Sequence, residues 1–423
     1  MTTEQLTEER TLSESKPKRS KRKIVLALMI GLAVVELALP IATSRLPLGK
    51  RMSLPPPLYI LSQTSKSGLV PDDYILLLGD SYAVGGGDWM LQGLEEGGNP
   101  PYQATHVLHE QTGRDVINFG RAGSGNVHAT AYLASKRFAQ LRRNLLGDPT
   151  DVIVYFYEGN DLNDNLRRAR RDFGLNERSP DSFSDEELDE LIAQRAQAGR
   201  LRGLPGMLYA PYIVQKFFQR QVNATSALHG RDGTIRDAGS VHEILEAYPV
   251  VTPFSVGGTQ KVFTKWTQGP ALELTDEELA FSLSMLDGSL RWVKQRFEGA
   301  SVTLVYIPSP LSCYRILGPV VYAQSYEPRD ERVDVLNRSA SLQESFNVLD
   351  VRTRSDAIRE RVQEMAVERG VDFIDATSAL RAAASSELVH GPIDGNHLNR
   401  RGYEILGELL VSRYSKAEFA STR

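Results

Sequence analysis

Short apolar runs, each ended by glycine or polar residues, recur along the chain and predict the strands of a buried sheet. The first runs from Tyr74 to Leu78 and stops at Gly79-Asp80-Ser81. Further runs cover residues 116–119, 152–157, 301–307 and 371–375. Apolar runs of this length without strict alternation are typical of strands that are covered on both faces, as in parallel sheets.

Helical patterns separate these strands. The clearest cover residues 275–297, which open with the capping-box pattern Thr275-Asp-Glu-Glu278, and residues 355–369. Strands that alternate with helices imply a parallel sheet with right-handed crossovers. The predicted fold is therefore α/β, a flavodoxin-like five-stranded parallel sheet with an inserted helical subdomain and an N-terminal transmembrane helix.

The amino terminus carries a long apolar run, from Ile24 to Thr43, interrupted only by Glu36 and Pro40. About twenty helical residues span a hydrocarbon core of ~30 Å, so residues 24–43 are predicted to be a transmembrane anchor. A basic cluster precedes the run: Lys16, Lys18, Arg19, Lys21, Arg22 and Lys23. Basic residues stay on the cytoplasmic side. We therefore expect a single-pass protein with a cytoplasmic amino terminus and the remaining chain on the periplasmic or extracellular side.

Two other interpretations of this run stay open. Ala42-Thr-Ser44 resembles a small-residue cleavage site, which would make the segment a cleaved signal peptide. The run is longer than the usual signal core, and the polar segment before it is also long. A buried core helix is the other alternative, which the basic flank disfavours. Glu36 would lie near the outer interface or in a helix–helix contact.

The rest of the chain divides by composition. We predict a disordered basic tail over residues 1–23, a Pro-rich linker over 44–72, and a discontinuous domain over 73–165 and 271–415. Residues 166–270 form an insertion, either a lid or substrate platform above the site or a peripheral helical subdomain. A helix capped at Ser184 is expected within it. An arginine run at its start could grip an anionic glycan or form a solvated helix face: Arg167, Arg168, Arg170 and Arg171.

Composition agrees with a globular enzyme. The chain has 423 residues, of which 41% are hydrophobic and 24% charged, enough for a sizeable core. The formal net charge of −4 gives no indication of a nucleic-acid partner. Cys313 is the single cysteine, so no intrachain disulfide forms, and we expect it to be a buried, inert thiol.

The polar residues that end the strands are the candidate chemistry. Ligands of open parallel sheets gather at the carboxyl ends of the strands, where Ser81 is expected. A serine hydroxyl there acts as a nucleophile only when a base and an oxyanion site converge on it. The alternative is a plain turn in which Asp80 and Ser81 cap the next helix.

Two later strand ends offer oxyanion donors. The strand over residues 116–119 runs into a glycine-rich loop that contains Gly120, Gly123 and Gly125, where backbone N–H groups can approach a ligand. The strand over residues 152–157 ends in Glu158-Gly-Asn-Asp161, and the amide of Asn160 can donate to a developing oxyanion. For both segments the alternative is an ordinary turn.

A base and its orienting carboxylate lie near the carboxy terminus. Asp394 and His397 are three residues apart, just before an amphipathic stretch that predicts a helix. Such a loop can hold the imidazole Nδ1–H on the carboxylate while Nε2 faces a serine hydroxyl, which is the logic of a triad. The alternative for His397 is a solvent-exposed histidine in a polar turn.

Taken together and in this order, these segments resemble the SGNH (GDSL-type) serine hydrolase superfamily, over the strand and loop pieces of residues 73–161 and 300–415. The resemblance implies Ser81 as nucleophile, with its own N–H in the oxyanion hole. Gly123 and Asn160 would be the other oxyanion donors. Asp394 and His397 would complete a Ser-His-Asp triad, with no cofactor and no metal.

One position departs from the family pattern. The third block of the superfamily usually reads Gly-x-Asn-Asp, and Glu158 stands in place of the first glycine. Asn160 is kept, so we expect the chemistry to survive. A carboxylate beside the oxyanion hole could alter substrate choice.

The function expected from this resemblance is a membrane-tethered serine esterase that removes acyl groups, above all O-acetyl groups, from a cell-envelope or exported carbohydrate. The substrate rests on location and family analogy. An O-acyltransferase that loads Ser81 and passes the acyl group to a sugar hydroxyl is the alternative within enzymes. A non-catalytic envelope module that binds glycan or a partner protein is the alternative outside them.

Overall fold

A computed structural model describes most of the chain. It covers residues 19–44, 56–96, 100–141, 146–174, 178–199, 235–237, 251–263, 267–324 and 343–421, with the single positions 46, 51 and 54. The predicted disordered tail before residue 19 and most of the insertion after residue 199 therefore lie outside the described residues.

A five-stranded parallel sheet forms the centre of the domain. Its strands are β1 (Tyr74–Leu78), β2 (Asp115–Asn118), β3 (Asp151–Tyr157), β7 (Ser301–Ile307) and β11 (Asp372–Asp375). They lie in the order β11-β7-β3-β1-β2, and every neighbouring pair is parallel. This is the flavodoxin-like order, in which the strand sequence reverses between β1 and β3, so the predicted sheet is confirmed.

Helices cover both faces of this sheet. The helices before β3 are α1 (Arg19–Ser44), α2 (Pro56–Leu61), α3 (Ser81–Val84), α4 (Asp88–Glu96), α5 (Ala104–Thr112) and α6 (Leu133–Gln140). Those after β3 are α7 (Asp161–Asp172), α8 (Asp185–Ala198), α9 (Asp276–Arg296), α10 (Pro310–Cys313), α11 (Val348–Glu368), α12 (Thr377–Ala384) and α13 (Arg400–Ser421). A π-helical turn over His128–Tyr132 precedes α6.

Side chains of each strand alternate between two apolar cores. Leu76 and Leu78 of β1 pack with α2, α6, α7, α8, α9 and α11, whereas Ile75 and Leu77 pack with α3, α4, α5, α12 and α13. Because both faces are covered, the strands need no polar face, which explains their continuous apolar runs. Cys313 is buried and unpaired, and burial raises the pKa of its thiol.

Two predicted helix starts are confirmed by their caps. Thr275 and Glu278 form the reciprocal capping box of α9, and Ser184 accepts the N–H of Glu187 at the start of α8. The helix predicted over residues 355–369 begins earlier, at Val348, because the side chain of Asn347 accepts the N–H of Leu349.

The amino-terminal helix α1 contains the one candidate membrane span among the described residues, Lys23–Thr43, judged by length and composition. Its apolar residues from Ile24 to Val35 are exposed, while Glu36 is 6% exposed. The predicted Pro-rich linker follows, and its residues Leu58, Ile60 and Leu61 in α2 are buried in the core. This part of the linker is therefore packed onto the domain.

The described part of the insertion contains both helix and strand. The predicted helix is present as α8, but strands β4 (Ile235–Asp237), β5 (Thr252–Val256) and β6 (Thr259–Phe263) were not predicted. They join β8 (Arg315–Ile316) in an antiparallel sheet of order β4-β6-β5-β8. A hairpin of β9 (Val320–Gln324) and β10 (Gln343–Asn347) lies next to it in sequence.

Candidate active site

Ser81 lies at the carboxyl end of β1, as the first residue of α3. Asp80 caps this short helix, since its carboxylate accepts the N–H of Tyr82 at 2.9 Å. Gly79 permits the sharp turn because a Cβ there would lie 2.9 Å from the Cβ of Tyr155 on β3. The tight packing of β1 against β3 thus places the hydroxyl at the edge where the strand order reverses. Ser81 is 7% exposed.

The carboxy-terminal loop between α12 and α13 brings His397 to this serine. Nε2 of His397 lies 2.8 Å from Oγ of Ser81, and Nδ1 of the same ring lies 2.6 Å from Oδ2 of Asp394. The structure therefore joins three residues that the sequence singled out, across a separation of 316 positions between the serine and the histidine. Oγ of Ser81 has a second, longer contact of 3.2 Å to Oδ2 of Asp80.

Two tyrosines hold the loop that carries His397. The hydroxyls of Tyr82 and Tyr157 both donate to the backbone carbonyl of Asn396. The side-chain oxygen of Asn396 accepts the N–H of Gln268 at 2.8 Å. The ring of Tyr82 also lies 5.3 Å from the imidazole of His397, centroid to centroid. Because both tyrosines are buried, the loop is fixed by α3, which carries Tyr82, and by β3, which carries Tyr157.

Neighbouring charges shift both partners of the imidazole–carboxylate pair. Burial by itself lowers the pKa of His397, but the charge and hydrogen bond of Asp394, with smaller contributions from Asp80 and Asp88, raise that pKa above 6.5 overall. Burial opposes ionisation of Asp394, yet the imidazolium charge, its hydrogen bond and the N–H of Asn396 hold the pKa of that carboxyl below 3.8. The carboxylate is therefore ionised whenever the histidine titrates.

Asp88 is a second acidic group close to this pair. Burial and the charge of Asp394 raise the pKa of Asp88 to about 7, while His397 opposes the shift. Its Oδ1 is buried without a hydrogen-bond partner among the described residues. Asp88 follows Gly85-Gly86-Gly87 in sequence. The site therefore contains a carboxyl that changes charge near neutral pH.

The glycine-rich loop after β2 packs against the turn that carries Ser81. A Cβ on Gly120 would lie 2.6 Å from the Cβ of Ala83, and the N–H of Gly120 donates to the side chain of Asn118 at 2.7 Å. Gly123 has a φ of +68°, a conformation that favours glycine, and its carbonyl accepts a hydrogen bond of 3.2 Å from Arg168. The loop and α3 thus form one packed unit.

Asn160 is the residue before α7, at the carboxyl end of β3, and its side chain does not cap the helix. Its Oδ1 is buried and has no hydrogen-bond partner among the described residues. The next residue, Asp161, accepts the N–H of Tyr157 at 2.9 Å and the amide of Asn126 at 3.1 Å. Asn126 also exchanges hydrogen bonds of 2.7 and 2.8 Å with Asn165. This network joins the glycine-rich loop to α7 and to the turn of Asn160.

Glu158 corrects one expectation. Its side chain is fully buried and turned into the protein, so it does not lie beside the predicted oxyanion hole as expected. The carboxylate accepts hydrogen bonds from the hydroxyls of Tyr306, Ser309, Ser312 and Ser355 and from the backbone N–H of Ser309. Burial raises the pKa of Glu158, and these donors oppose the shift. Glu158 therefore ties β3 to β7, α10 and α11.

Several residues around the site were missed in the sequence. Tyr82 and Asp88 could have been found in the sequence, because Tyr82 is next to Ser81 and Asp88 follows three consecutive glycines. Tyr157 and Asn126 carried no local signal, because their contacts join segments that are distant in sequence.

Residues 75–216 match the family model described as GDSL-like lipase/acylhydrolase, and no curated protein matches the chain. Among solved structures, the extracellular lipase of Streptomyces rimosus aligns with 12% identity and a TM-score of 0.35, over 81% of this chain and 99% of that one. Phospholipase A1 of Streptomyces albidoflavus NA297 aligns with 13% identity and a TM-score of 0.33, over 81% of this chain and 98% of that one. An inhibitor-bound aryl esterase of M. smegmatis aligns with 12% identity and a TM-score of 0.32, over 82% of this chain and 99% of that one. The family match includes Ser81, Gly123 and Asn160.

Proposed function

We propose that this chain is an ester-bond hydrolase of the GDSL-like lipase/acylhydrolase family, whose model matches residues 75–216, and that Ser81, His397 and Asp394 are its catalytic triad. One observation carries the proposal: the imidazole of His397 lies within hydrogen-bond distance of both the Ser81 hydroxyl and the Asp394 carboxylate. A base that is itself oriented by a third group is the arrangement that activates a serine.

In the proposed reaction, Oγ of Ser81 attacks the ester carbonyl while Nε2 of His397 takes its proton. Asp394 holds Nδ1–H and stabilises the imidazolium. The imidazolium then protonates the alcohol that leaves, and an acyl-enzyme remains on Ser81. Water then attacks the acyl carbon while Nε2 of His397 takes one of its protons. When the resulting tetrahedral intermediate collapses, the bond to Oγ of Ser81 breaks, the imidazolium returns that proton to Oγ, and the carboxylic acid leaves.

The proposed oxyanion hole consists of the N–H groups of Ser81 and Gly123 and the side-chain amide of Asn160. Three features support these assignments: the left-handed backbone of Gly123, the packing of its loop on α3, and an Asn160 side chain that is not used as a helix cap. One such donor is typically worth about 3–4 kcal/mol of barrier, or about 10²–10³ in kcat.

The proposed substrate is an O-acetylated or otherwise acylated carbohydrate of the cell envelope, met on the outer side of the membrane. Support comes from the apolar stretch Lys23–Thr43 with its basic amino-terminal flank, which fits an uncleaved anchor with a cytoplasmic amino terminus. The proposed domain limits are residues 24–43 for the anchor, 44–72 for the linker, 73–165 and 271–415 for the hydrolase domain, and 166–270 for the insertion.

The test uses the full chain in non-ionic detergent and a fluorophosphonate probe. We expect labelling of the wild type and none of Ser81→Ala. Acetate release from acetylated xylan, acetylated peptidoglycan and an aryl acetate then identifies the substrate. A folded wild-type protein that takes no label would contradict the triad and favour a binding module. Product analysis with an added oligosaccharide separates hydrolysis from acyl transfer, since transfer yields an acetylated sugar in place of acetate.

A further inference from the structure

One arginine on α7 stands apart from its neighbours. Three of the four arginines on this helix form ion pairs, which are Arg167 with Asp164, Arg170 with Glu278, and Arg171 with Asp172. The fourth, Arg168, instead donates to the carbonyl of Gly123 at 3.2 Å. Among the described residues no carboxylate oxygen lies within 4.0 Å of its guanidinium, and its Nε is buried without a partner. Arg168 is therefore a half-buried cation on the proposed oxyanion loop.

A buried histidine lies beside this cation. His128 is 6% exposed, and neither ring nitrogen has a hydrogen-bond partner among the described residues. Its ring stacks on Tyr132 at 4.4 Å, within a π-helical turn of a kind that is frequent at functional sites. Burial, followed by the charges of Arg168, Arg121, Arg195 and Arg171, lowers the pKa of His128 to about 2. The imidazole is thus neutral, and the positive charges of these arginines act on it.

The cations near His128 are incompletely balanced. Arg171 and Arg195 share the carboxylate of Asp172 at 2.9 and 3.2 Å. Arg121 lies in the glycine-rich loop, two residues before Gly123, and is exposed. Within the described part of the chain it has no carboxylate within 4.0 Å either. Burial lowers the pKa of Arg168 to about 10, and the charges of Arg171 and Arg167 lower it more than those of Asp164 and Asp172 raise it. A bound anion would relieve this repulsion among the guanidinium groups.

We propose that Arg168 and Arg121, with the ring of His128 beside them, form a subsite for an anionic group of the substrate, a carboxylate on the sugar or alcohol part of the ester. This inference rests on the proposed function and narrows its substrate to acidic carbohydrates. Guanidinium groups suit the task because their planar donors match a carboxylate in a bidentate arrangement.

The position of Arg168 relative to Gly123 sets the reach of the subsite. Within one residue the backbone nitrogen and carbonyl oxygen are at most about 3.6 Å apart. With the 3.2 Å hydrogen bond, the guanidinium lies within about 7 Å of the Gly123 N–H, a proposed oxyanion donor. A substrate whose carboxylate lies about one sugar-ring width from its ester carbonyl could therefore place the carboxylate at Arg168 and the carbonyl oxygen at the Gly123 N–H at the same time.

The test compares two small esters of matched shape, 4-acetoxybenzoate and the neutral 4-acetoxybenzamide. The readout is the ratio of their kcat/KM values for the full chain in non-ionic detergent. We expect Arg168→Gln to lower the ratio of anionic to neutral ester by about ten-fold, since a hydrogen bond to a charged group is lost. Arg168→Lys should keep part of the preference, and raising the ionic strength should weaken it in the wild type.

Arg170→Gln is the matched control, because it removes the same charge from the same helix but from a side chain paired with Glu278 at 2.5 Å. Its ratio should equal that of the wild type. An equal loss on both esters in Arg168→Gln would overturn the subsite, since Arg168 would then only position Gly123. An unchanged ratio would overturn it as well.

A binding measurement separates this inference from the proposed function. Calorimetric titration with 4-hydroxybenzoate and 4-hydroxybenzamide requires no turnover. Binding of the acid alone to the wild type and to Ser81→Ala, with loss in Arg168→Gln, supports the subsite even in a chain that cleaves no ester. Equal binding of acid and amide, or of neither, overturns it, whereas absent fluorophosphonate labelling counts only against the triad.

Discussion

Gly86 lies directly against the imidazole of His397. A Cβ built on Gly86 would be 2.7 Å from Cδ2 and 2.9 Å from Nε2 of that ring, and 3.1 Å from the carbonyl oxygen of Ser81. The N–H of Gly86 donates to the same carbonyl at 2.8 Å. The absence of a side chain at Gly86 therefore sets how closely the imidazole of His397 approaches Ser81. Nothing in the sequence indicated that these two residues are in contact.

Replacing Gly86 by alanine should push the imidazole away from Ser81. No positive φ is required at this position, so the effect is steric. A displacement of about 1 Å at a catalytic group can cost about 10²-fold in rate. We expect kcat for an aryl acetate and the rate of fluorophosphonate labelling to fall by about that factor in Gly86→Ala.

Gly147→Ala is the control for this steric effect, because a Cβ at Gly147 meets no atom within 4 Å. Its kcat and labelling rate should match those of the wild type. Wild-type labelling in a folded Gly86→Ala protein would show that His397 need not hold this position, and the proposed role of the imidazole would be wrong.

Gly123 and Gly113 form a matched pair for the oxyanion hole. Both have a positive φ, +68° and +73°, and a Cβ on either would meet no atom within 4 Å. Alanine at each position should lower the free energy of unfolding by a similar amount, about 1–2 kcal/mol. Only Gly123→Ala should also lower kcat, by about ten-fold or more, because backbone strain moves the proposed donor N–H.

Chemical denaturation and steady-state kinetics of the two glycine variants check this expectation together. A Gly113→Ala variant as slow as Gly123→Ala would attribute the loss to general destabilisation. A fully active Gly123→Ala variant would remove the Gly123 N–H from the proposed oxyanion hole.

The pH dependence of hydrolysis should show the effect of Asp88 on the pKa of His397. His397 acts as a base only when neutral, and its pKa lies above 6.5 because Asp394, Asp80 and Asp88 favour the imidazolium against the effect of burial. The acid limb of kcat/KM should therefore have an apparent pKa above 6.5. Asp88→Asn removes one negative neighbour, so the limb should move to lower pH.

Burial and the charge of Asp394 raise the pKa of Asp88 to about 7, so Asp88 changes charge within the pH range of the profile. Profiles from pH 5 to about 9 for the wild type and Asp88→Asn give the shift. Asp72→Asn controls for the loss of a charge, since Asp72 is exposed. A limb that stays in place, or moves to higher pH, would show that Asp88 does not influence His397.

The sequence predicted the sheet well because its signals are local. Apolar runs mark the strands, and polar residues that follow β1 and β3 point to the edge where Ser81 and Asn160 lie. The expected contact between Ser81 and His397 required only that the carboxy-terminal loop be long enough to reach the end of β1. In the structure Nε2 of His397 lies 2.8 Å from Oγ of Ser81. The same reasoning could not choose among the arginines of α7, since helical phase and distant partners decide which is paired.

Glu158 shows where local reasoning fails. Its position one residue after β3 suggested a carboxylate near the oxyanion hole, yet its hydrogen-bond partners lie about 150–200 positions later in the chain. Side-chain direction at a strand end depends on these tertiary contacts. The strands of the insertion are a different case. β5 and β6 form a hairpin across Gly257-Gly258, a local turn signal that was overlooked, and only the pairing of β5 with β8 reaches beyond the insertion.

Glu158 also gives a stability prediction. Burial raises its pKa above 4.5 in the folded protein, so the folded state holds this proton more tightly than the unfolded state. Its contribution to stability is therefore fully present below pH 4.5 and is lost as the pH rises through the folded pKa. Glu158→Gln cannot ionise, so we expect its free energy of unfolding, relative to the wild type, to increase from pH 5 to pH 8.

Urea unfolding of the wild type and Glu158→Gln at both pH values measures this difference. Glu298→Gln is the control for charge removal, because Glu298 is exposed, and its difference from the wild type should change little with pH. If the Glu158→Gln difference instead falls between pH 5 and pH 8, the ionised carboxylate is stabilised by its hydroxyl donors more than burial penalises it. Because the side chain faces the core, the ratio of kcat/KM values for acetylated xylan and an aryl acetate should be unchanged in this variant.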